Sequence, residues 1–408
     1  MAGFIKALLD WRKLENQTLY AIILAIILGV ILPELAQYLK VVGDIFLRLL
    51  KAIAIPLVIT SIFVSIVSLG SLRELKSLGL KAIAYYTATT FLAVLTGLIV
   101  VNLFFGNGFS SGEVSHSQTF QAREISLQDF LVGFFPSNIF QSLAEGKIVQ
   151  IIVFTVLLAL GVLAIKETLK GKETVTNLFE GLNEAFLNIA GWIIKLTPLG
   201  VFAIVYYTVA THGLGAFSSL WKYALAVVLG LLWHATVNLG LIAYLLAKVK
   251  PHEYFAKVRE ALLIAFSTAS SSATLPVSLR VAQEKGGVDK KVAGFILPLG
   301  ATVNMDGTAL YEAVAVMFIA SMYGIDMDLT KQVIILVTAT LAAIGAAGIP
   351  SAGLVTMTLV LTAVGLPLEG IAIILAIDRF LDMLRTSVNV WGDLIGAKLV
   401  DNLQRGRL

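Results

Sequence analysis

Cysteine is absent from this chain, which excludes disulfides and thiolate metal sites without identifying a compartment. Charge is scarce too. Asp, Glu, Lys and Arg make up 14% of the residues, where a soluble domain carries about a quarter, so an ordinary soluble protein is excluded. Basic residues outnumber acidic ones by 30 to 26, too small an excess to point to nucleic acid, and no nucleic-acid partner is expected. No small-residue cleavage site follows the apolar segment behind Lys6, Arg12 and Lys13, so no removable signal is expected. What is plentiful is hydrophobic sequence, 58% of 408 residues. Such a chain is best divided by the roughly 20 apolar residues that one bilayer crossing needs.

Apolar stretches long enough to cross lie at about 17–35, 43–70, 79–105, 129–165, 183–211, 219–247, 292–322 and 368–397. Two further apolar segments, 255–283 and 329–364, are broken in the middle. The first breaks at Ser267-Thr268-Ala269-Ser270-Ser271-Ser272 before Pro276, and the second at Gly345-Ala346-Ala347-Gly348 before Pro350, Ser351 and Gly353. Basic residues cluster at 6–13, at Arg73, Lys76 and Lys81, at Lys166, Lys170 and Lys172, at 248–259, at 280–291 and at the C-terminus. With those loops cytoplasmic, the first broken segment enters and leaves on the inside, and the second on the outside. The expected architecture is therefore an all-α polytopic membrane protein with eight transmembrane helices and two opposed re-entrant helical hairpins. Irregular backbone at membrane depth is tolerated only where protein buries it or a watery cavity satisfies it, so two opposed breaks point to a binding site near the midplane. The bland alternative is that Ser and Gly merely let helices pack closely. Thr302 to Thr308 echoes Ser387 to Asp393. The expectation is a hairpin followed by an interrupted helix, twice, in inverted repeats.

The last two crossings carry Asp306, Glu312, Asp378, Arg379, Asp382, Arg385 and Asp393. Unpaired, seven ionised groups at the bilayer centre would cost roughly 20 kcal/mol, a load with no purpose in a purely structural helix. Asp378, Asp382, Arg385, Asn389 and Asp393 recur at steps of four, three, four and four, one stripe on one helical face. Asn304, Thr308 and Glu312 form a second stripe, with Asp306 beside it. A guanidinium can grip a carboxylate with two hydrogen bonds, and Asp382 can accept an ammonium group. Carboxylate and carbonyl oxygens suit a hard cation such as Na⁺. The competing reading is a set of structural ion pairs, Asp382 with Arg385 for instance, with Asp378 and Arg379 paired to each other or reaching toward the interface. His234 in the sixth crossing reads as a helix–helix hydrogen-bond partner rather than a proton relay. An intramembrane aspartyl protease would have no use for opposed hairpins or for Arg385, and a channel is told apart by the lack of concentrative uptake.

Asn304-Met305-Asp306-Gly307-Thr308, the Ser270-Ser271-Ser272 tip and Asp382-Met383-Leu384-Arg385-Thr386 make the chain resemble, over essentially its whole length, the glutamate/aspartate transporter family. That family spans archaeal aspartate transporters, bacterial glutamate symporters and animal excitatory amino acid transporters. The resemblance implies a multi-pass protein of the plasma (inner) membrane, with both termini cytoplasmic, assembled as a homotrimer and working by an elevator movement. Residues 1–72 and 107–217 would form the scaffold, and 73–106 and 218–408 the transport domain. It implies uptake of L-aspartate or L-glutamate coupled to Na⁺, with no organic cofactor. The alternative is a purely proton-coupled glutamate/dicarboxylate or neutral amino-acid symporter.

By the same resemblance, the substrate site comprises Ser270, Ser271, Thr308, Ile349, Gly353, Asp382, Arg385, Thr386 and Asn389. Arg385 would take the side-chain carboxylate with help from Thr308, and Asp382 the amino group. Asn389 and Ser271 would take the main-chain carboxylate, and Ile349 to Gly353 would gate. One Na⁺ site would use Gly300, Asn304, Asn389 and Asp393. A second would use Thr302, Met305 and carbonyls near Ile344 and Ala346, and a third Tyr86, Thr89, Thr90, Asn304 and Asp306. An arginine that relatives carry at one of two places is missing, because Ala269 and Met383 stand there, and Arg379 is the nearest substitute. Glu312 stands where proton-coupled relatives carry a glutamate and sodium-only ones a glutamine. A carboxylate in a low-dielectric site holds its proton more tightly, so H⁺ is expected beside or instead of Na⁺.

Overall fold

The computed structural model describes residues 14–68, 78–105, 132, 135–166, 170–213, 220–346, 348 and 351–406, and every regular element among them is helical. The chain opens with α1 (Leu14–Ile31) and α2 (Ala36–Val67). Between them Pro33 denies the backbone a donor and pushes Leu32 out of the helical region, to φ −130° and ψ 58°. The two helices diverge by 110° there, and the Tyr206 hydroxyl donates to the freed Leu32 carbonyl. Next come α3 (Leu80–Phe105), α4 (Ile139–Glu145), α5 (Ile148–Leu163), α6 (Lys170–Lys195) and α7 (Thr197–His212). The single crossing expected at 183–211 is instead two helices, bent by 48° where Pro198 sits in the first turn of α7. A proline is tolerated there because the first-turn N–H groups lack helical partners anyway.

The rest of the chain comprises α8 (Leu220–Leu245), α9 (Pro251–Thr268), α10 (Ser271–Glu284), α11 (Lys290–Val303), α12 (Asp306–Met322), α13 (Leu329–Ile344), α14 (Ala352–Ala363) and α15 (Ile371–Gln404). By length and composition, α3, α8 and the α11–α12 pair can each cross a membrane. The pairs α1–α2 and α6–α7 pass the same test only as bent pairs. At about 1.5 Å per residue α15 is long enough too, but its charged stripe lowers its hydropathy. Apolar side chains such as Ile31, Tyr38, Trp221 and Tyr244 stand exposed, an arrangement that suits lipid and not water.

Two packing groups result. Helix α7 lies against α1 and α2, and α2 also holds α5 and α6. In the other group α12 is surrounded by α3, α8, α13, α14 and α15, while α9, α10 and α11 pack on α15. Every residue of α12 from Asp306 to Ala320 is buried, as expected of a helix walled in on all sides. The groups meet where α14 and α11 touch α2, α13 touches α5 and α7 touches α15.

Both broken segments fold as helix–turn–helix pairs. Helix α9 ends on Ala269 in the left-handed region, φ 50°, and Ser270 caps α10 by accepting from Ala273 N at 3.1 Å. Helix α14 likewise starts after Ser351 at φ 60°. The two turns touch: Ser270 Oγ donates to the Gly348 carbonyl at 2.6 Å and Ser272 N to the same oxygen at 3.1 Å. The expected interruption in the seventh crossing falls on Asn304 and Met305, whose ψ values of 91° and 51° end α11 and let α12 restart. The matching interruption expected in the eighth crossing is absent. Helix α15 runs unbroken through Ser387 to Asp393, and its Asn389 and Asp393 side chains supply the short contacts to the α11–α12 break.

Candidate functional site

The α11–α12 break leaves backbone donors of α12 without helical partners, and α15 answers them. Asn389 Oδ1 accepts from Gly307 N at 2.7 Å, and its Nδ2 lies 3.3 Å from both Thr308 Oγ1 and Met305 Sδ. The helices approach so closely at Gly307 that a Cβ there would sit 2.8 Å from Arg385 Cα. Gly307→Ala is therefore expected to destabilise the protein by about 1–3 kcal/mol, read as a lower melting temperature of the purified chain.

Arg385 is fully buried. Its Nη1 bonds Asp378 Oδ1 at 2.8 Å and its Nε bonds Asp382 Oδ1 at 2.9 Å, while the Tyr311 ring lies 4.0 Å from Cζ and the Tyr311 hydroxyl donates to Asp378 at 2.7 Å. The second oxygen of Asp382 accepts from Ser351 N at 2.7 Å, with Arg379 Nη1 3.7 Å away. Thus Asp378 pairs with Arg385, its partner in the stripe. Adjacent residues on a helix do not face each other, whereas residues seven apart return to one face. Arg385 Nη2 has no hydrogen-bond partner, and a Cβ on Gly353 would sit 3.1 Å from it. A buried, unsatisfied guanidinium nitrogen is costly, and this one lies against the turn of the α13–α14 pair.

Next to Gly353 lies a small void, a cavity of about 10 Å³, lined by Ser271, Met305, Thr308, Ala346, Asp382, Thr386 and Asn389 among others. The expected substrate residues Ser271, Thr308, Gly353, Asp382, Thr386 and Asn389 all line it. Ser270 stands beside it as the α10 cap, Arg385 is set behind Gly353, and Ile349 lies outside the described residues.

Two oxygen clusters flank the break. In one, Asn304 Nδ2 donates to Asp393 Oδ1 at 2.8 Å and lies 3.5 Å from the Asn389 carbonyl, and a Cβ on Gly300 would sit 2.5 Å from Asp393 Oδ1. In the other, Asp306 Oδ1 accepts from Thr90 Oγ1 at 2.7 Å, while Thr89 Oγ1 stands 3.2 Å from Asp306 Oδ1, 3.4 Å from Asn304 Oδ1 and 3.2 Å from the Tyr86 carbonyl. The expected residues of the first and third cation sites therefore come together. Those of the second are more scattered: Met305 and Ala346 share the void, Ile344 ends α13, and Thr302 Oγ1 lies 3.1 Å from Ser65 Oγ. No group of three His, Cys, Asp or Glu able to hold a metal exists among the described residues. Each cluster instead offers one carboxylate among neutral oxygens, a donor set that fits a hard, singly charged cation.

Several contacts lie beyond the residues expected. His234 Nε2 lies 3.2 Å from Asp306 Oδ2, so it is a helix–helix partner as expected, but one aimed at a cluster carboxylate. Glu312 is fully buried, accepts from the Thr356 hydroxyl and leaves Oε2 without a partner. No spacing in the sequence links Thr356 to Glu312 or His234 to Asp306, because each pair joins separate helices.

The sequence matches the sodium:dicarboxylate symporter family over residues 14–403. The chain belongs to that family. It is 35% identical over 395 residues to the proton/sodium-glutamate symport protein of Bacillus subtilis, covering 94% of this chain and 91% of the relative. It is 38% identical over 392 residues to the protein of the same name from Geobacillus stearothermophilus, covering 93% and 92%. It is 35% identical over 467 residues to human excitatory amino acid transporter 3, covering 98% and 88%. As a member of this symporter family it is a membrane transporter and not an enzyme.

Proposed function

We propose that the chain is a secondary symporter that takes up L-aspartate or L-glutamate, coupled to Na⁺ and to H⁺. The observation that carries this reading is Arg385 Nη2, buried without a partner behind Gly353 and beside a void whose wall includes Asp382. A guanidinium and a carboxylate at one void complement a molecule bearing both an extra carboxylate and an ammonium. Arg385 takes the side-chain carboxylate, Thr308 assists, Asp382 takes the ammonium, and Asn389 with the Ser270–Ser271 tip takes the main-chain carboxylate. Asp393 and Asp306 anchor the two oxygen clusters that hold Na⁺, and a third ion sits near Thr302, Met305, Ile344 and Ala346. Helices α9–α10 and α13–α14 are the opposed re-entrant hairpins of an eight-crossing fold. The segment through Ile349 to Gly353 gates the outside, and its Ser351 N–H already reaches Asp382.

The two packing groups support a division into scaffold (1–72, 107–217) and transport domain (73–106, 218–408), with the latter sliding as an elevator in a plasma-membrane homotrimer whose termini are cytoplasmic. The relatives named for proton/sodium-glutamate symport support both coupling ions. The buried, half-partnered Glu312 favours a second reading in which protons alone drive uptake. Glu312→Gln is expected to make uptake independent of pH between about 5 and 8 and to remove substrate-linked H⁺ influx, measured with a pH-sensitive dye in the vesicle lumen. Radiolabelled aspartate and glutamate uptake into proteoliposomes, with a Na⁺ gradient or a pH gradient imposed separately, tests the function itself. Accumulation that requires Na⁺ supports the proposal, and accumulation on a pH gradient alone supports the second reading.

A further inference from the structure

We infer that Asn238 is a positioning residue for the Asp306 cation cluster, acting by anchoring Nδ1 of His234 so that the Nε2–H is held on Asp306; this rests on the sodium reading above. Five residues of α8, His234 to Asn238, form a π-helical turn, a local widening found mostly at functional sites. Both ends of that turn carry polar side chains, and these form part of a directed chain of hydrogen bonds. Thr96 Oγ1 donates to the Leu92 carbonyl at 2.7 Å, which uses its only proton. It can therefore only accept from Asn238, which stands 2.7 Å away. That orients the Asn238 side chain with its amide nitrogen toward Thr96. The same nitrogen lies 3.1 Å from His234 Nδ1, and because an amide nitrogen only donates, Nδ1 must accept. The ring proton then sits on Nε2 and is donated to Asp306 Oδ2 at 3.2 Å. His234 and Asp306 are both completely buried.

Held from this side, Asp306 keeps Oδ2 occupied and turns Oδ1 to the Thr89 and Thr90 hydroxyls, the first of which also reaches Asn304 Oδ1. Without Asn238 the ring loses its anchor at Nδ1 and is free to turn about its side-chain bonds. The Nε2–H then leaves Oδ2, and the carboxylate can rotate out of the cluster. Outer groups that orient a metal-binding side chain are commonly worth about 10–100-fold in affinity.

The test reads Na⁺ affinity of the purified full chain, without substrate, from the rise of its melting temperature with Na⁺ concentration. Asp306→Asn defines the part of that rise that belongs to this cluster. His234→Phe keeps the ring and removes the donor, and is expected to weaken Na⁺ binding by about tenfold or more. His234→Gln keeps an N–H donor for Asp306 on a side chain that has no Nδ1 for Asn238 to anchor, and is expected to stay within about threefold of wild type. Asn238→Leu is expected to weaken binding by about tenfold in the wild-type background, yet to have no effect when His234→Gln is already present, a non-additivity that a merely structural asparagine would not give. Where His234→Phe fails to fold, the Asn238→Leu pair of measurements decides alone. Wild-type Na⁺ affinity in Asn238→Leu, or an equal loss in both backgrounds, overturns the inference while leaving the sodium reading intact. An Asp306→Asn variant with an undiminished shift takes Na⁺ away from this cluster and overturns the inference alone, whereas a wild type with no Na⁺-dependent shift overturns the sodium reading and this inference with it.

Discussion

Replacing Arg385 with glutamine is expected to lower kcat/KM for aspartate and glutamate by about 1,000-fold while leaving the protein folded in the membrane. The estimate follows from truncating a buried, charge-paired hydrogen-bond donor, which costs about 2–5 kcal/mol or more. The geometry says why so large an effect falls on the acidic substrates. Arg385 has no exposed surface, one nitrogen on Asp378 and another on Asp382, and a third that has no partner. The first two anchor the planar group against rotation, and the Tyr311 ring at 4.0 Å supports its face. The third is left for a carboxylate arriving through the void beside Gly353. Glutamine removes the buried positive charge and leaves Asp378 and Asp382 with only Arg379, 3.7 Å from Asp382, to offset them. A neutral amino acid of similar size loses far less, and the ratio of the two uptake rates is expected to invert. Radiolabelled uptake of aspartate against serine or alanine in proteoliposomes checks this. An Arg385→Gln variant that still prefers aspartate would place the selecting cation elsewhere.

The second large effect is expected at Asp306. Asp306→Asn keeps the shape of the side chain and one acceptor oxygen, which can serve Thr90 or His234 but not both, and removes the cluster's carboxylate. The Na⁺ concentration needed for half-maximal uptake should rise by at least about 10–100-fold, the loss that removing even an outer partner of a metal ligand produces. Stability in Na⁺-free buffer should not fall, because a buried carboxylate without a full counter-charge is itself costly. A rise in the Na⁺ requirement together with an unchanged or higher Na⁺-free melting temperature separates loss of a ligand from general damage.

Much of this site is written in local sequence. The stripe from Asp378 to Asp393 was legible because α15 is helical throughout, so side chains three and four apart return to one face, and because charge in an apolar helix is too costly to be incidental. The hairpin breaks were legible because Ser, Gly and Pro interrupt otherwise apolar runs. Asn304 to Thr308 marked the seventh-crossing interruption for a similar reason, although the echo at Ser387 to Asp393 suggested a second interruption that α15 does not have. There the likeness is one of side chains that meet the break, not of backbone that breaks.

What stayed hidden depends on tertiary contact. The Ser270–Gly348 bond joins residues 78 apart and uses a backbone carbonyl, which no residue type announces. The His234–Asp306 contact crosses between two helices whose relative rotation is set by packing. The Asp378–Arg385 pair, by contrast, joins residues seven apart on one helical face and is legible in the spacing.

The central claim, that an acidic amino acid and Na⁺ are held at one linked site, is tested most directly by calorimetric binding of L-aspartate or L-glutamate to the purified transporter at several Na⁺ concentrations. Linkage to even one ion makes substrate affinity rise by about tenfold for each tenfold rise in Na⁺ below saturation, and that is the expected result. A dissociation constant that is the same in Na⁺ and in choline at fixed pH would contradict it.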